Sequence, residues 1–338
     1  MNYLMLSVGR RGELMKDFRM SMEEGSRIIA TDNSPYAPAL YFADKQYLVP
    51  RIDAPEYIDT ILDICKKEKI NAVTTFIDPE IMILAENREK FEALGVEVLA
   101  PYEETARLCF DKYEMFKYLT ANGVRTVMTW GTFSEVKEAL DKGDVSLPVF
   151  VKPRTGSGSV GARKISDIET LHAAFEEDPG LIAQELMTGE GCFDLDADVY
   201  VDTISHEPVA IFSKKKISTT IGGANKTISF KDERLFAFVL DAFKCFKFNG
   251  PLDADFFYKD GEYYLSEVNP RFGGAYLHAY GAGVDFIKLI DNNLRGDVNR
   301  SIIGQYEEDV VMMMYDSVVI RKNNGDLLEP YQIPTAKG

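Results

Sequence analysis

Short β-rich runs alternate with helix-like stretches over the first hundred residues, and this rhythm limits the fold more than any other feature of the sequence. The β-rich runs lie at residues 3–8, 27–31, 72–76 and 96–99, and the helix-like stretches between them lie near 13–24, 56–67 and 79–94. Parallel strands need a long crossover connection, which is usually a helix. The alternation therefore predicts βαβ units that build a parallel sheet.

Length and charge set the class of protein. A chain of 338 residues with 46% hydrophobic content can bury a large core, and its length predicts two or three domains. The 38 basic and 54 acidic residues leave a formal net charge of −16. An acidic surface repels phosphate backbones and anionic lipids. We therefore expect neither nucleic acid nor a membrane as a partner.

Cysteine and histidine usage argues against metal-thiolate and disulfide chemistry. The four cysteines are widely spaced with no CxxC pair, and only three histidines are scattered among them. Such spacing supports neither a zinc site nor a disulfide framework. The apolar run at the N-terminus is broken by Arg10 and Arg11, so we expect neither a signal peptide nor a membrane span. The cytoplasm is the expected compartment.

The turn after the first β-rich run offers one alternative function. Gly9 and Gly12 follow the run, and Asp32 ends the second run, an arrangement like that of dinucleotide-binding turns. The spacing of the two glycines differs from the pattern that lets the backbone approach a pyrophosphate. A nicotinamide-dependent enzyme is thus a rival hypothesis, and a plain turn near the substrate is the favoured one.

A lysine at the end of a β-rich run precedes a loop of small residues. Lys152 ends the run at 148–153, and the loop at 154–161 contains three glycines and two serines. Glycines allow main-chain N–H groups to converge on an anion, serine hydroxyls add donors, and the lysine supplies positive charge. The segment predicts a phosphate-covering loop, although a mobile surface hairpin would have a similar composition.

A second pair of β-rich runs carries acids and an amide. The runs at 253–258 and 263–271 flank a tight turn at 259–261, which predicts an antiparallel hairpin. Alternation places Tyr263, Leu265, Glu267 and Asn269 on one face, and the hairpin register can bring Asp255 opposite Glu267. Oxygen ligands of this kind suit Mg²⁺. Arg271, just beyond, could bind a transferring phosphoryl group bidentately.

Taken in order, these motifs resemble those of the ATP-grasp superfamily, and most nearly a single synthetase unit of the carbamoyl phosphate synthase large subunit. The residues that carry the resemblance are Asp111-Lys112, the run around Lys152 with its loop, 184–186, 253–255 and Glu267-Val268-Asn269-Pro270-Arg271. The resemblance implies a mixed α/β and α+β chain, in which a Rossmann-like parallel α/β domain is followed by a two-lobed ATP-grasp domain.

The resemblance also implies a role for each motif. Asp255, Glu267 and Asn269 would hold Mg²⁺, for which Mn²⁺ is an alternative, and Arg271 and Lys152 would act in catalysis. The residues expected to bind ATP are Lys112, Lys152, Gly156, Ser157, Gly158, Ser159, Gln184, Glu185 and Leu186. The family's ribose-binding acid usually comes soon after the hinge glycine as Gly-x-Glu, but that pattern is broken here, so Glu190 and Asp194 compete for the role. Lys214, Lys215 and Lys216 have no assigned role; they offer a phosphate contact or a solvated strand edge.

The expected domains are 1–110 for the Rossmann-like unit, 111–300 for the ATP-grasp unit and 301–338 for a terminal strand and tail. Within the ATP-grasp unit we expect a small lobe at about 125–185 and a large lobe at about 186–300. The expected activity is ATP- and Mg²⁺-dependent ligation of a small carboxylate to an amine, or to ammonia or a thiol, through an acyl phosphate. Bicarbonate activation and a non-catalytic nucleotide-binding subunit are the alternatives. A homodimer is compatible with this reading.

Overall fold

A computed structural model describes residues 1–156, 161–220 and 223–323 of the chain. The predicted loop residues Ser157, Gly158 and Ser159 lie outside the described residues, as does most of the predicted tail. No helix in the described ranges is long and apolar enough to cross a membrane.

The N-terminal region forms a five-stranded parallel sheet, as the alternation predicts. Its strands, in the spatial order β3-β2-β1-β4-β5, are β1 Asn2–Leu6, β2 Arg27–Asp32, β3 Lys45–Leu48, β4 Ala72–Thr75 and β5 Glu97–Val98. The chain reverses its direction of winding between β1 and β4, and ligands of such sheets bind beside the carboxyl ends of the strands at this point. The turns that follow β1 and β4 therefore lie at the edge where a substrate is expected.

Helices cover both faces of this sheet. They are α1 Gly12–Ser21, α2 Tyr57–Glu68, α3 Asp78–Glu86, α4 Arg88–Glu92 and α5 Glu103–Phe110, with a 3-10 turn at Pro38–Phe42. The buried face of α1 packs into one core, and those of α2 to α4 pack into a second. The single helix predicted over 79–94 is wrong, because the chain breaks at Asn87, whose amide caps Ile83 O at 2.9 Å. The polar strand β3 was not predicted, since its residues alternate between half-buried and exposed.

The next segment folds into a small antiparallel lobe. It contains α6 Lys112–Ala121, β6 Thr129–Trp130, α7 Phe133–Lys142, β7 Val149–Pro153, β8 Arg163–Ile165, α8 Ile168–Glu177 and β9 Leu181–Glu185. Its four strands have the order β6-β9-β7-β8 and enclose a core of their own with α7 and α8. Because β7 lies centrally, Lys152 is held on a rigid strand at the side of the lobe that carries the small-residue loop.

A six-stranded antiparallel sheet forms the large lobe. Its elements are β10 Phe193–Val201, β11 Pro208–Thr220, β12 Gly223–Ser229, α9 Glu233–Ala242, β13 Gly250–Lys259, β14 Glu262–Asn269, α10 Tyr276–Gly281, α11 Phe286–Leu294 and β15 Val311–Met313, with a 3-10 turn at Phe243–Cys245. The spatial order is β14-β13-β10-β11-β12-β15. The terminal strand predicted within 301–338 is short, since it is formed by β15, which pairs with β12 through residues 311–313.

Candidate active site

A β-bulge on β14 directs the predicted metal ligands away from the core. Asp255 pairs with Glu267 as predicted, but its neighbour Phe256 pairs with Leu265, which leaves Ser266 as an extra residue. Side chains of directly paired residues lie on the same face, and one inserted residue reverses the alternation beyond it. The prediction that Leu265 shares a face with Glu267 is therefore wrong. Leu265 packs in the core, whereas Glu267 and Asn269 lie on the opposite face with Asp255.

Two lysines from different strands neutralise the carboxylates of Asp255 and Glu267. Lys152 Nζ on β7 lies 3.6 Å from Glu267 Oε2. Lys216 Nζ on β11 contacts Asp255 Oδ1 and also lies 2.9 Å from Asp194 Oδ1. Burial lowers the pKa of Lys152, although Glu267 opposes the shift. The same face of the sheet thus joins three carboxylates to two ammonium groups.

The donor set of this face fits Mg²⁺. Asp255 and Glu267 offer carboxylate oxygens from opposite positions of a rigid hairpin, and Asn269 offers an amide oxygen next along β14. Hard oxygen donors with room for phosphate and water are what Mg²⁺ requires. The side chains of Asp255 and Glu267 keep 28% and 21% of their surface exposed, so that an incoming ligand can reach them. Burial raises the pKa of Asp255 to about 6, against the lowering effect of Lys216.

A second group of acids lies deeper on the same face. The carboxylate oxygens of Asp196, Asp198 and Asp253 lie within 4.8 Å of one another. The fully buried Lys214 contacts Asp198 Oδ2 and lies 3.0 Å from Asp196 Oδ1. Burial raises the pKa of Asp198 to about 7 despite this lysine. Because the side chains of Asp196 and Asp198 are only 5% and 1% exposed, an incoming ligand cannot reach them as it can reach Asp255 and Glu267, and we do not regard this group as the metal site.

Arg271 joins the large lobe to the N-terminal sheet. Its Nε lies 2.8 Å from Oδ1 of Asp78, its Nη2 donates to Asp78 Oδ2 at 3.2 Å, and its Nη1 lies 3.9 Å from Asp253 Oδ2. Asp78 begins α3, directly after β4. Burial and the neighbouring Arg271 lower the pKa of Arg11 to about 10, which indicates that Arg11 also faces this junction. Arg10 instead is exposed, 3.9 Å from Asp316.

A pocket opens beside these groups. Its polar wall contains Asp78, Glu267 and Asn269, and the first residue of the predicted phosphate loop, Gly156, reaches its rim. The apolar wall is formed by Ile81, Ala106, Cys109, Phe110, Val268 and Pro270. The fold therefore brings residues from all three sheet-bearing regions to one cleft, and an occupant would lie next to the proposed metal ligands.

The predicted phosphate-binding lysine of α6 points at the start of the loop. Lys112 Nζ donates to the carbonyl oxygen of Gly156. Asp111 caps the N-terminus of α6 and accepts main-chain N–H groups at 3.0 and 3.1 Å, while its carboxylate also receives Nε of Arg154. These contacts fix the entry to the loop and hold Lys112 beside it. Gly156 has φ of 97°, a backbone conformation that favours glycine.

The predicted adenine hinge lies at the end of β9. Gln184 is buried, and its Nε2 donates to Thr129 Oγ1 at 2.8 Å. Glu185 N donates to the carbonyl of Met128 at 2.9 Å, and its side chain accepts from Lys259 Nζ at 2.6 Å. Leu186 follows β9 and is half-buried. The main chain on either side of the hinge is thus firmly placed.

The two candidates for the ribose-binding acid differ in their surroundings. Asp194 lies on β10 and its carboxylate is 2.9 Å from Lys216 Nζ. Glu190 lies in the turn between β9 and β10 and is exposed. Because the Asp194 carboxylate is paired, Glu190 has the freer carboxylate for a hydroxyl group.

The rival dinucleotide turn has a structural role. Asp32 Oδ2 accepts the main-chain N–H of Gly9 and Oδ1 accepts that of Ser34, both at 2.9 Å. A Cβ atom on Gly12 would lie 2.7 Å from the ring of Phe42. Asp32 thus closes the turn after β1, and Gly12 allows α1 to pack closely, which is the favoured alternative of the sequence reading.

Several residues of the cleft were not predicted. Asp78 and the acids Asp196 and Asp198 are the main ones, and Lys214 and Lys216 had no assigned role. The acids at 194, 196 and 198 recur at every second position of an otherwise apolar run, a strand pattern that turns all three toward one face. The partner of Arg271 has no such local signal, because Asp78 lies 193 residues earlier in the chain.

The sequence matches two family models. One is described as a PylC-like N-terminal domain and matches residues 3–99. The other is described as an ATP-grasp domain and matches residues 109–275. The two matches together include the parallel sheet, the small lobe and the strands that carry the cleft.

Two curated proteins are similar to this chain in sequence. A formate-dependent phosphoribosylglycinamide formyltransferase of Solidesulfovibrio magneticus is 30% identical over 203 residues, which are 58% of this chain and 49% of that protein. A D-alanine–D-alanine ligase of Bacillus anthracis is 26% identical over 72% of this chain and 88% of that protein. The chain thus spans about half the length of the first of these relatives.

Among solved structures, the N5-carboxyaminoimidazole synthetase of Staphylococcus aureus in complex with ADP superimposes with a TM-score of 0.71 at 16% identity. The superposition covers 89% of this chain and 78% of that one. The likeness at this identity concerns the fold.

Proposed function

Because the chain belongs to the ATP-grasp family and carries a PylC-like N-terminal domain, we propose that it is an ATP- and Mg²⁺-dependent ligase that joins a small carboxylate to an amine through an acyl phosphate. The observation that carries the proposal is the solvent-accessible Asp255–Glu267 pair, which Lys152 and Lys216 flank and which lies beside the Asp78-bound Arg271.

The reaction requires no covalent bond between the protein and its substrates. A carboxylate oxygen attacks the γ-phosphorus of ATP and ADP leaves; the amine nitrogen then attacks the acyl carbon, phosphate leaves, and the amine loses a proton. Phosphoryl transfer is accelerated mainly by positioning and by neutralising charge. The metal, when bound, neutralises phosphate charge and orients the phosphoryl group. A site rich in lysine, arginine and carboxylates suits this chemistry.

We assign the roles within the cleft as follows. Asp255, Glu267 and Asn269 hold the metal, Lys112 and Lys152 bind phosphates, and Arg271 steadies the phosphoryl group and the carboxylate. Residues 184–186 bind the adenine, and Glu190 binds the ribose. The loop that begins at Gly156 and includes Ser157, Gly158 and Ser159 covers the phosphates and excludes water, because acyl phosphates hydrolyse readily.

The named relatives suggest the size of the substrates. One is a formate-dependent formyltransferase and another joins two D-alanine molecules. We propose that this chain likewise uses a small carboxylate, and that the amine binds near the turns after β1 and β4. Mn²⁺ should support the reaction in place of Mg²⁺. The domain limits near residues 110 and 300, a homodimeric assembly and a cytoplasmic location remain predictions.

The test is release of ADP and phosphate from Mg-ATP across a panel of carboxylates and amines. The panel includes formate, bicarbonate, D- and L-amino acids and ammonia. Hydroxylamine is added in parallel, because it traps an acyl phosphate as a hydroxamate. Stimulation by one carboxylate, hydroxamate formation with it, and loss of both in Glu267→Gln are the expected results. ATP binding with no stimulation by any pair would contradict a ligase and favour a non-catalytic nucleotide-binding subunit.

A further inference from the structure

Lys216 occupies the position from which a metal ion would contact Asp255. Its Nζ contacts Asp255 Oδ1 and lies 2.9 Å from Asp194 Oδ1. The Lys216 side chain keeps 13% of its surface exposed and reaches from β11 to Asp194 on β10 and Asp255 on β13. A magnesium ion bound through Asp255 Oδ1 would compete with the Lys216 ammonium group for that oxygen.

The other metal carboxylate has a similar arrangement. Glu267 Oε2 lies 3.6 Å from Nζ of Lys152, whose side chain is also 13% exposed. Each of the two acids proposed to hold the metal therefore has its own lysine. Without nucleotide, each of these two carboxylates is thus already paired with an ammonium group of the chain.

The pairing of both carboxylates with lysines affects the order in which the metal and the nucleotide bind. A free divalent cation that displaced both lysines would take Lys152 away from Glu267 and leave Lys216 only its contact with Asp194, and poorly solvated ammonium groups that lose carboxylate partners are costly. Phosphate oxygens that arrive with the cation supply new partners for those ammonium groups. Metal and nucleotide should therefore bind together far better than the metal binds alone.

We propose that Lys216 is a positioning residue that holds the place of the metal at Asp255 and yields it only to a metal–nucleotide complex, so that the empty site rejects free divalent cations. The inference rests on the proposed function, because it assigns the metal to Asp255 and Glu267. It adds a specific role for a lysine whose place in the reaction was unassigned.

Of the two lysines that precede Lys216 in the sequence, Lys215 provides the matched control. Lys215 lies on the opposite face of β11, where its Nζ is 5.1 Å and 5.3 Å from the ring centroids of Phe193 and Phe230. Lys215→Met therefore changes the net charge of the protein as Lys216→Met does, but leaves the carboxylate face intact. Lys214 is unsuitable as a control because it is fully buried among acids.

The experiment measures Mn²⁺ binding to the full chain without nucleotide, from the electron paramagnetic resonance signal of free Mn²⁺. The proteins are wild type, Lys216→Met, Lys216→Arg, Lys215→Met and the double variant Lys216→Met/Asp255→Asn. Lys216→Met should bind one Mn²⁺ at least about tenfold more tightly than wild type, a change of about 1.4 kcal/mol. Lys216→Arg and Lys215→Met should match wild type, and the double variant should lose the gain.

Equal Mn²⁺ affinity of Lys216→Met and wild type would overturn the inference, as would a gain that persists in the double variant. If Lys216→Met does not fold, as judged by circular dichroism, Lys216→Gln replaces it with the same expectations. The titration is repeated with saturating ADP to separate the two proposals. If all single lysine variants bind Mn²⁺ in the presence of ADP, but Lys216→Met gains no Mn²⁺ affinity in the absence of nucleotide, only the role of Lys216 is refuted. No Mn²⁺ binding even with ADP would refute the metal site and the inference with it.

Discussion

Two groups of carboxylates lie on one face of the large-lobe sheet, and they differ mainly in their access to water. The outer pair, Asp255 and Glu267, keeps about a quarter of its side-chain surface exposed. The inner pair, Asp196 and Asp198, keeps 5% and 1%. Both pairs contact lysine ammonium groups.

The difference decides what each group can do. An inner lysine that left its acids would find no solvent and no other partner, so Lys214 is a fixed part of the fold. An outer lysine can turn toward a ligand that enters from the cleft. Similar ion pairs therefore serve stability in one place and ligand exchange in the other, and the following predictions test this contrast.

The largest effect should come from Lys214→Met. Removing the ammonium group that contacts both inner acids takes away the counter-ion of two buried carboxylates, which costs about 3–5 kcal/mol. Urea unfolding should register this loss of unfolding free energy. Lys215→Met, on the opposite face, should stay within about 0.5 kcal/mol of wild type. A loss below 1 kcal/mol for Lys214→Met would mean that the inner acids are mostly protonated and need no cation.

Glu267→Gln should affect catalysis more than stability. The change removes one of two metal carboxylates, and we expect kcat to fall about 100- to 1,000-fold, as for loss of a single electrostatic contact to a transition state. Turnover of ATP with the identified substrate is the measurement. The matched control is Glu262→Gln, an exposed acid at the start of the same strand that pairs with Arg125. Unchanged turnover in purified Glu267→Gln would remove Glu267 from the metal site.

Much of this arrangement could be predicted from the sequence. Strand order along the chain, the hairpin around 259–261 and the pairing of Asp255 with Glu267 follow from local patterns and a tight turn. The bulge at Ser266 could not be predicted, because a single inserted residue leaves no distinct composition, and it reverses the face of Leu265 relative to Glu267. The break at Asn87 was also missed, since no glycine or proline marks it.

Pairing between distant segments was the least predictable part. Three consecutive lysines look alike in sequence, yet Lys214 is buried, Lys215 lies over aromatic rings and Lys216 contacts Asp255. Strand alternation separates Lys215 from the other two, but the acids they meet come from strands that only the tertiary fold brings beside β11. Burial of a charge is a property of the assembled sheet rather than of the segment that carries it.

A buried acid outside the cleft tests the effect of burial on a carboxyl group through the pH dependence of protein stability. Asp17 on α1 is 8% exposed, and burial, with Glu13 and Asp285 nearby, raises its pKa to about 7 from 3.8. A carboxyl group with a raised pKa in the folded state contributes stability below pH 4 that is lost as the pH rises to about 7. Asp17→Asn should therefore gain on the order of 4 kcal/mol over wild type at pH 8.

The stability gain of Asp17→Asn should shrink to less than about 1 kcal/mol at pH 4, where the wild-type carboxyl is neutral in the folded state and about half ionised in the unfolded state. Denaturant unfolding at pH 4, 6 and 8 measures the difference between the two proteins. A difference independent of pH would show that Asp17 does not ionise within this window.

The smallest effect should come from Asp78→Asn. Asp78 holds two nitrogens of Arg271, and the amide keeps only one acceptor, so the arginine loses a charged partner. We expect kcat/KM to fall about tenfold, or about 1.4 kcal/mol, with little change in the Kd of ADP. Asp316→Asn, which breaks an exposed ion pair with Arg10, should have no effect. A large loss of ADP affinity in Asp78→Asn would place Arg271 at the nucleotide rather than at the transferred group.

The most direct test of the account is a crystal structure with Mn²⁺ and a non-hydrolysable ATP analogue, in which anomalous scattering locates the metal. We predict Mn²⁺ between Asp255 and Glu267, with the Lys216 ammonium group moved off Asp255 and Lys214 still bound to Asp196 and Asp198. Anomalous density among Asp196, Asp198 and Asp253, with Lys216 still on Asp255, would contradict the account.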